Sequence, residues 1–217
     1  MRVAAMGVVG IALTVSAALS AQGPLDPSLL LQPPTTAWPS YHGDYTGRHY
    51  SPLAEVTTEN VRHLSLAWFY RTPAGTDGAV LGGPPPAGVP PGVAAGRGGA
   101  PPPSTTGPII KAMPLMVNGI LYLSAPNRVF AVDARTGRQI WQYLWRGPRG
   151  AIGNRGVAMY RDWLYVVTPD NYVVSLDAGT GRERWAKKLT PDGVTNWSTV
   201  APIVVKNHVL VGIGGDT

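Results

Sequence analysis

The sequence predicts an all-β chain that carries consecutive blades of a β-propeller. Three observations point there. The 217 residues include 27 glycines and 22 prolines, a turn-rich composition that suits many short strands and disfavours a helical bundle. A nine-residue motif occurs twice, 44 residues apart: Asp133-Ala134-Arg135-Thr136-Gly137-Arg138-Gln139-Ile140-Trp141 and Asp177-Ala178-Gly179-Thr180-Gly181-Arg182-Glu183-Arg184-Trp185. Each copy follows a pair of apolar, alternating strands. A period of ~40–50 residues with about four strands per unit is the signature of a propeller blade. Seven tryptophans and nine tyrosines against two phenylalanines suit a β core built on amphipathic aromatics.

Taken in order, residues 1–21 read as an export signal. Arg2 is their only charge, Ala4 to Leu19 is apolar or small, and Ala18-Leu19-Ser20 offers the small residues a signal peptidase reads. The apolar run is short for a membrane span, which needs ~20 residues; an uncleaved anchor is the alternative. The mature chain is therefore expected outside the cytoplasm, with no membrane span after cleavage. Residues 22–72 form an N-terminal lead segment, expected to add an outer strand and a short helix between Trp38 and Tyr70. Residues 73–108 hold ten glycines and ten prolines. They offer little apolar mass to offset the entropy of ordering and read as a disordered insert, with a proline-rich partner motif as the alternative.

Residues 109–217 carry the blades. The first copy of the motif follows Gly119–Leu123 and Arg128–Val132, the second Trp163–Val167 and Tyr172–Leu176, and a third unit begins at Val204. The motif has a local mechanism. Asp133 or Asp177 can accept backbone N–H bonds just downstream, the threonine adds a hydroxyl, and Gly137 or Gly181 supplies a positive φ. The tryptophan on the next strand fills the wedge between neighbouring blades. These residues are structural before they are catalytic. A propeller closes with about four to eight blades, whereas about two to three are present. The expectation is an N-terminal fragment of a longer protein; a ring completed by several chains is the alternative.

Composition also excludes chemistry. The absence of cysteine rules out a disulfide scaffold, a thiolate metal site, an iron–sulfur cluster, a cysteine nucleophile and a haem attachment motif in this chain. The net charge of +6 is spread thinly, with no Lys/Arg cluster, so nucleic acid is not an expected partner. The four histidines show no His-x-x-x-His pair, and His42 and His49 read as surface or packing residues rather than ligands. Gly212-Ile213-Gly214-Gly215 is followed by no helix in this sequence and is no dinucleotide fingerprint.

Two stretches carry a resemblance. Trp38-Pro39-Ser40-Tyr41-His42-Gly43-Asp44-Tyr45-Thr46-Gly47-Arg48-His49-Tyr50-Ser51-Pro52-Leu53 and Thr58-Glu59-Asn60-Val61-Arg62-His63-Leu64-Ser65-Leu66-Ala67-Trp68 resemble the lead segment of pyrroloquinoline quinone (PQQ)-dependent alcohol dehydrogenases. The tryptophan-docking repeats and Gly153-Asn154-Arg155-Gly156 fit the same family. The resemblance implies an eight-bladed quinoprotein propeller in the periplasm, of which the first two to three blades are present. It implies PQQ near the axis with Ca²⁺ or a lanthanide, an alcohol or sugar as substrate, and a cytochrome c as electron acceptor. Arg155 matches the arginine that bonds the quinone, and Thr199 a threonine that donates a hydroxyl hydrogen bond to it. The resemblance places the base aspartate beyond Thr217, so no catalytic residue is named here and the chain alone is expected to be inactive.

Three departures from the family pattern are visible. Arg149-Gly150 stand where many members carry a cysteine pair. Lys111 stands where a glutamate bonds the quinone; it could still contact an anionic cofactor. Thr217 stands where the metal glutamate falls, and Asp216, one residue earlier, becomes the metal-ligand candidate if a bulge intervenes. These departures keep a second reading open: a non-catalytic propeller scaffold of the outer-membrane assembly type.

Overall fold

The strands follow from period-two alternation. In Ile120–Ala125 and Arg128–Asp133 apolar side chains recur along each strand, and both faces of the second are buried between neighbouring layers. The computed structural model describes residues 23–72, 110–147, 154–191, 193 and 196–215. Sheet 1 is an antiparallel meander of β1 (Leu115–Val117), β2 (Ile120–Ala125), β3 (Arg128–Asp133) and β4 (Gln139–Leu144). Sheet 2 repeats it with β5 (Ala158–Tyr160), β6 (Trp163–Val167), β7 (Tyr172–Asp177) and β8 (Glu183–Lys188). The registers correspond: Leu115 faces Tyr122 as Ala158 faces Tyr165, and Ala131 faces Trp141 as Ser175 faces Trp185. Even the register shift recurs, between Ala131 and Val132 and between Ser175 and Leu176.

A third unit is represented by β9 (Asn196–Trp197), β10 (Ile203–Val205), β11 (His208–Leu210) and β12 (Gly214–Gly215). Here β10 pairs with β11, and β12 with β9. The inner hairpins of all three units share a left-handed first turn residue. Asn118, Arg161 and Lys206 each take a left-handed φ, at 50°, 53° and 56°, which a two-residue hairpin turn demands.

The layers stack in chain order. Val129, Ala131 and Trp141 of sheet 1 meet Leu164, Val166, Val174 and Leu176 of sheet 2, and Leu25 and Leu30 of the lead segment join that core. On the other side of sheet 1, Tyr70 covers Ala125, Phe130 and Val132. Beyond sheet 2, Ala158 and Tyr165 pack on Val204.

The lead segment contains the expected short helix, a 3-10 turn at Val61–His63, and a second one at Pro27–Leu31 capped by Asp26. The described residues 23–72 contribute one isolated bridge, Trp38 to Met116, and no strand to stand for the expected outer one. Among the described residues no strand lies beside Leu66–Tyr70 to satisfy its backbone, and Leu66 and Phe69 are exposed. The stretch is held by side chains instead: Trp68 Nε1 donates to Ala134 O at 3.1 Å, and Tyr70 donates to Gln139 Oε1 at 2.5 Å. The export signal, the insert and Asp216 lie outside the described residues. Among those residues no helix is long and apolar enough to cross a membrane.

Candidate functional site at the inner-strand ends

Antiparallel pairing decides which segments meet. Because the start of β1 faces the end of β2, residues 111–114 lie at the same end of the stack as the β2–β3 turn. Asn154–Val157, before β5, and Thr199–Pro202, before β10, reach that end by the same logic. The backbone then ties the three segments together. Met113 N donates to Arg155 O, and Arg155 N donates to Thr199 O, both at 2.9 Å. Gly156 makes the first contact possible. Its φ is +145°, and a Cβ there would stand 3.1 Å from Met113 O.

Arg155 is exposed, and among the described residues it has no carboxylate partner. Thr199 is half-buried, and its hydroxyl is committed to no other described residue. Lys111 is exposed two residues before Met113, so a second cation belongs to the same end. The structure thus brings Arg155 and Thr199 together and leaves Lys111 on the adjoining segment.

Asn154 holds the arginine's base and was not singled out as a site residue. It is 4% exposed. Its Oδ1 accepts from Ser124 Oγ at 2.6 Å and its Nδ2 donates to Val167 O at 3.2 Å. One side chain therefore bridges sheets 1 and 2 immediately before Arg155. The available signal was a polar residue inside Gly-Asn-Arg-Gly, a setting with no other use for an amide.

The repeated motif is structural, as its chemistry implied. Asp133 Oδ1 accepts from Arg135 N, Thr136 N and Thr136 Oγ1 at 3.0, 2.7 and 2.9 Å. The hydroxyl bond from Thr136 is the main reason its carboxyl titrates below the usual value. Asp177 accepts from Thr180 N and Oγ1 in the same way. The tryptophans then dock forward. Trp141 Nε1 donates to Ala178 O at 2.9 Å and its ring lies against Gly181. Trp68 does the same on Ala134 and Gly137, a role the repeat alone had not revealed. Tyr122 also donates to Ala178 O, at 3.3 Å, and burial raises its phenol pKa well above the ordinary value.

With this geometry in view, the sequence profile of the PQQ glucose/ethanol/alcohol dehydrogenase β-propeller domain matches residues 38–163. The chain belongs to the PQQ-dependent dehydrogenase propeller family. Its relatives include the 1-butanol dehydrogenase (cytochrome c) of Thauera butanivorans, 30% identical over 187 residues, which are 82% of this chain and 22% of that protein. The quinohemoprotein alcohol dehydrogenase of Comamonas testosteroni is 32% identical over 191 residues, 83% of this chain and 22% of that protein. A crystal structure of the quinohemoprotein alcohol dehydrogenase from the same organism superposes with a TM-score of 0.67 at 31% identity, over 92% of this chain and 26% of that one. A europium-containing methanol dehydrogenase gives 0.61 at 27% identity, over 87% and 29%. The chain thus spans between about a fifth and three tenths of the length of these relatives.

Proposed function

We propose that this chain is the N-terminal part of a periplasmic PQQ-dependent dehydrogenase that oxidises an alcohol or a sugar, and that Arg155 and Thr199 bind the quinone. The observation that carries the reading is an exposed cation, Arg155, whose backbone N–H bonds the carbonyl of Thr199, a residue whose hydroxyl, like the guanidinium, has no partner among the described residues. PQQ presents carboxylates and quinone oxygens, so it calls for such a donor set. Lys111 adds positive charge at the same end, which suits an anionic ligand although it replaces a glutamate. When bound, the cofactor would take the substrate hydride at a carbonyl polarised by Ca²⁺ or a lanthanide. Asp216 is our candidate ligand for that metal; among the described residues no group of three or more acidic or histidine side chains forms a metal site. A cytochrome c is the proposed electron acceptor. The chain's own part in this scheme is to bind and orient: Arg155 supplies charge, Thr199 a proton donor, and Asn154 the rigid base on which Arg155 stands.

Binding, rather than turnover, tests this reading. Titration of PQQ with Ca²⁺ into the protein should give saturable quenching of tryptophan fluorescence. Arg155→Ala should weaken it by roughly 1.5–3 kcal/mol, the range of a charge-assisted hydrogen bond. Equal affinity in Arg155→Ala and the parent would overturn the assignment of Arg155.

A further inference from the structure

A second binding chemistry lies in the lead segment, where Tyr41 and His42 line a cavity with Ala158, Met159 and Pro202. Gly43 and Gly47, at φ +89° and +74°, fold residues 41–49 back on themselves and bring two histidines seven residues apart into contact. His42 Nδ1 and His49 Nε2 are 2.6 Å apart, and the ring centroids 4.5 Å. Tyr41 braces both rings edge-on, at 4.8 and 5.4 Å between centroids. His49 holds a left-handed φ of 51°, a conformation that non-glycine residues seldom adopt. The nearby charges are engaged elsewhere: Asp44 Oδ1 accepts from Thr46 N at 2.8 Å, and Arg48 Nε donates to Thr46 Oγ1 at 3.0 Å. Neither imidazole has another hydrogen bond within the described residues.

We propose that His42 and His49 form a two-imidazole chelate for a divalent transition-metal ion of the Cu²⁺, Ni²⁺ or Zn²⁺ class. In the pair as it stands, one ring nitrogen donates its proton to the other. A metal replaces that shared proton. The donor ring moves its N–H to its other nitrogen, so two neutral rings bind without net loss of a proton. Metal–imidazole bonds of about 2.0–2.1 Å set co-ligating nitrogens roughly 3 Å apart, so the nitrogens part by a few tenths of an ångström and both rings tilt until their lone pairs, now directed along the N···N line, converge on the metal. Water completes the coordination. Imidazole nitrogen selects for this class over Ca²⁺, which takes oxygen ligands.

The experiment is a calorimetric titration of Cu²⁺ into the full chain with excess Ca²⁺ present, together with an electron paramagnetic resonance spectrum. One saturable equivalent with a two-nitrogen signature is expected. It should be lost in His42→Gln and in His49→Asn, and kept in His63→Gln and His208→Gln. Asparagine tolerates the left-handed φ at position 49, and far-UV circular dichroism would verify that each variant folds. No saturable equivalent in the parent, undiminished binding in His42→Gln or His49→Asn, or equal loss in all four variants would each overturn the proposal.

Discussion

Asn154 shows how one amide can serve a neighbour's chemistry. Its oxygen and nitrogen are both spent across the sheet 1–sheet 2 boundary, on Ser124 and Val167. Asn154→Ala would strand a buried hydroxyl and a buried carbonyl, each partner of a group already out of water. A loss of about 1–3 kcal/mol is expected in urea unfolding, with weaker PQQ binding following from a loosened Arg155. Asp133 gives a second outcome at this scale. Its carboxyl titrates lower when folded than when unfolded, chiefly because of the Thr136 hydroxyl bond. Its contribution to stability is therefore complete above the ordinary carboxylate pKa and is lost as pH falls through the folded value. Asp133→Asn keeps the acceptor and removes the titration. Urea midpoints measured from about pH 5 down to about pH 2 should fall less steeply in the variant. Arg155 was proposed from the sequence because Asn-Arg-Gly carries the family resemblance in three consecutive residues. The His42–His49 pair was not, because two glycine turns, rather than a helical or strand spacing, bring the rings together.

At the level of strands and turns, the two glycines of the second motif make a sharp comparison. Gly181 has φ +71° and lies under the Trp141 ring, so that any Cβ there meets the indole. Gly179 has no such φ, and a Cβ there would meet only Asp177 Oδ1, at 3.5 Å. The first motif places Arg135 at the equivalent position. Gly181→Ala should cost at least about 1–3 kcal/mol from the backbone alone, with the ring clash added. Gly179→Ala should be neutral or should stabilise by up to about 1 kcal/mol. Thermal unfolding of the two variants measures the difference. The strands themselves were readable: alternation located β2, β3, β6, β7 and the hairpin of the third unit. Trp68 and Tyr70 carry the strand-like apolar pattern behind the outer strand expected before Tyr70, while among the described residues the backbone between them has no strand beside it. A pattern reports which side chains are buried and says nothing of whether the backbone finds a partner.

Across the whole molecule, the 44-residue spacing of the motif was enough to anticipate layers that repeat in chain order. It could not show how the lead segment threads through them. Leu25 and Leu30 enter the core between the sheets, Trp38 bridges to Met116 on β1, and the Tyr45 hydroxyl bonds Val204 O on β10. Each of these contacts joins residues far apart in sequence, and no local period encodes them. The candidate cofactor site has the same character. Lys111, Arg155 and Thr199 come from three successive units, and only the equivalence of those units puts them at one end.

The joints between layers also differ in how they tolerate damage. Among the described residues the carbonyl of Ala178 receives two side-chain donors, Trp141 and Tyr122, while that of Ala134 receives one, Trp68. The second joint thus has a spare. Losing the indole N–H in Trp141→Phe leaves the buried Tyr122 still holding the carbonyl, and losing the phenol in Tyr122→Phe leaves the indole. Tyr122→Phe should be mild, Trp141→Phe should also lose the packing of its larger ring on Gly181, and the double variant should lose more than the two losses added together, with a coupling of about 0.5–3 kcal/mol in a double-mutant cycle. Redundancy of this kind makes the Ala178 joint robust to single mutations, whereas its counterpart at Ala134 relies on one bond.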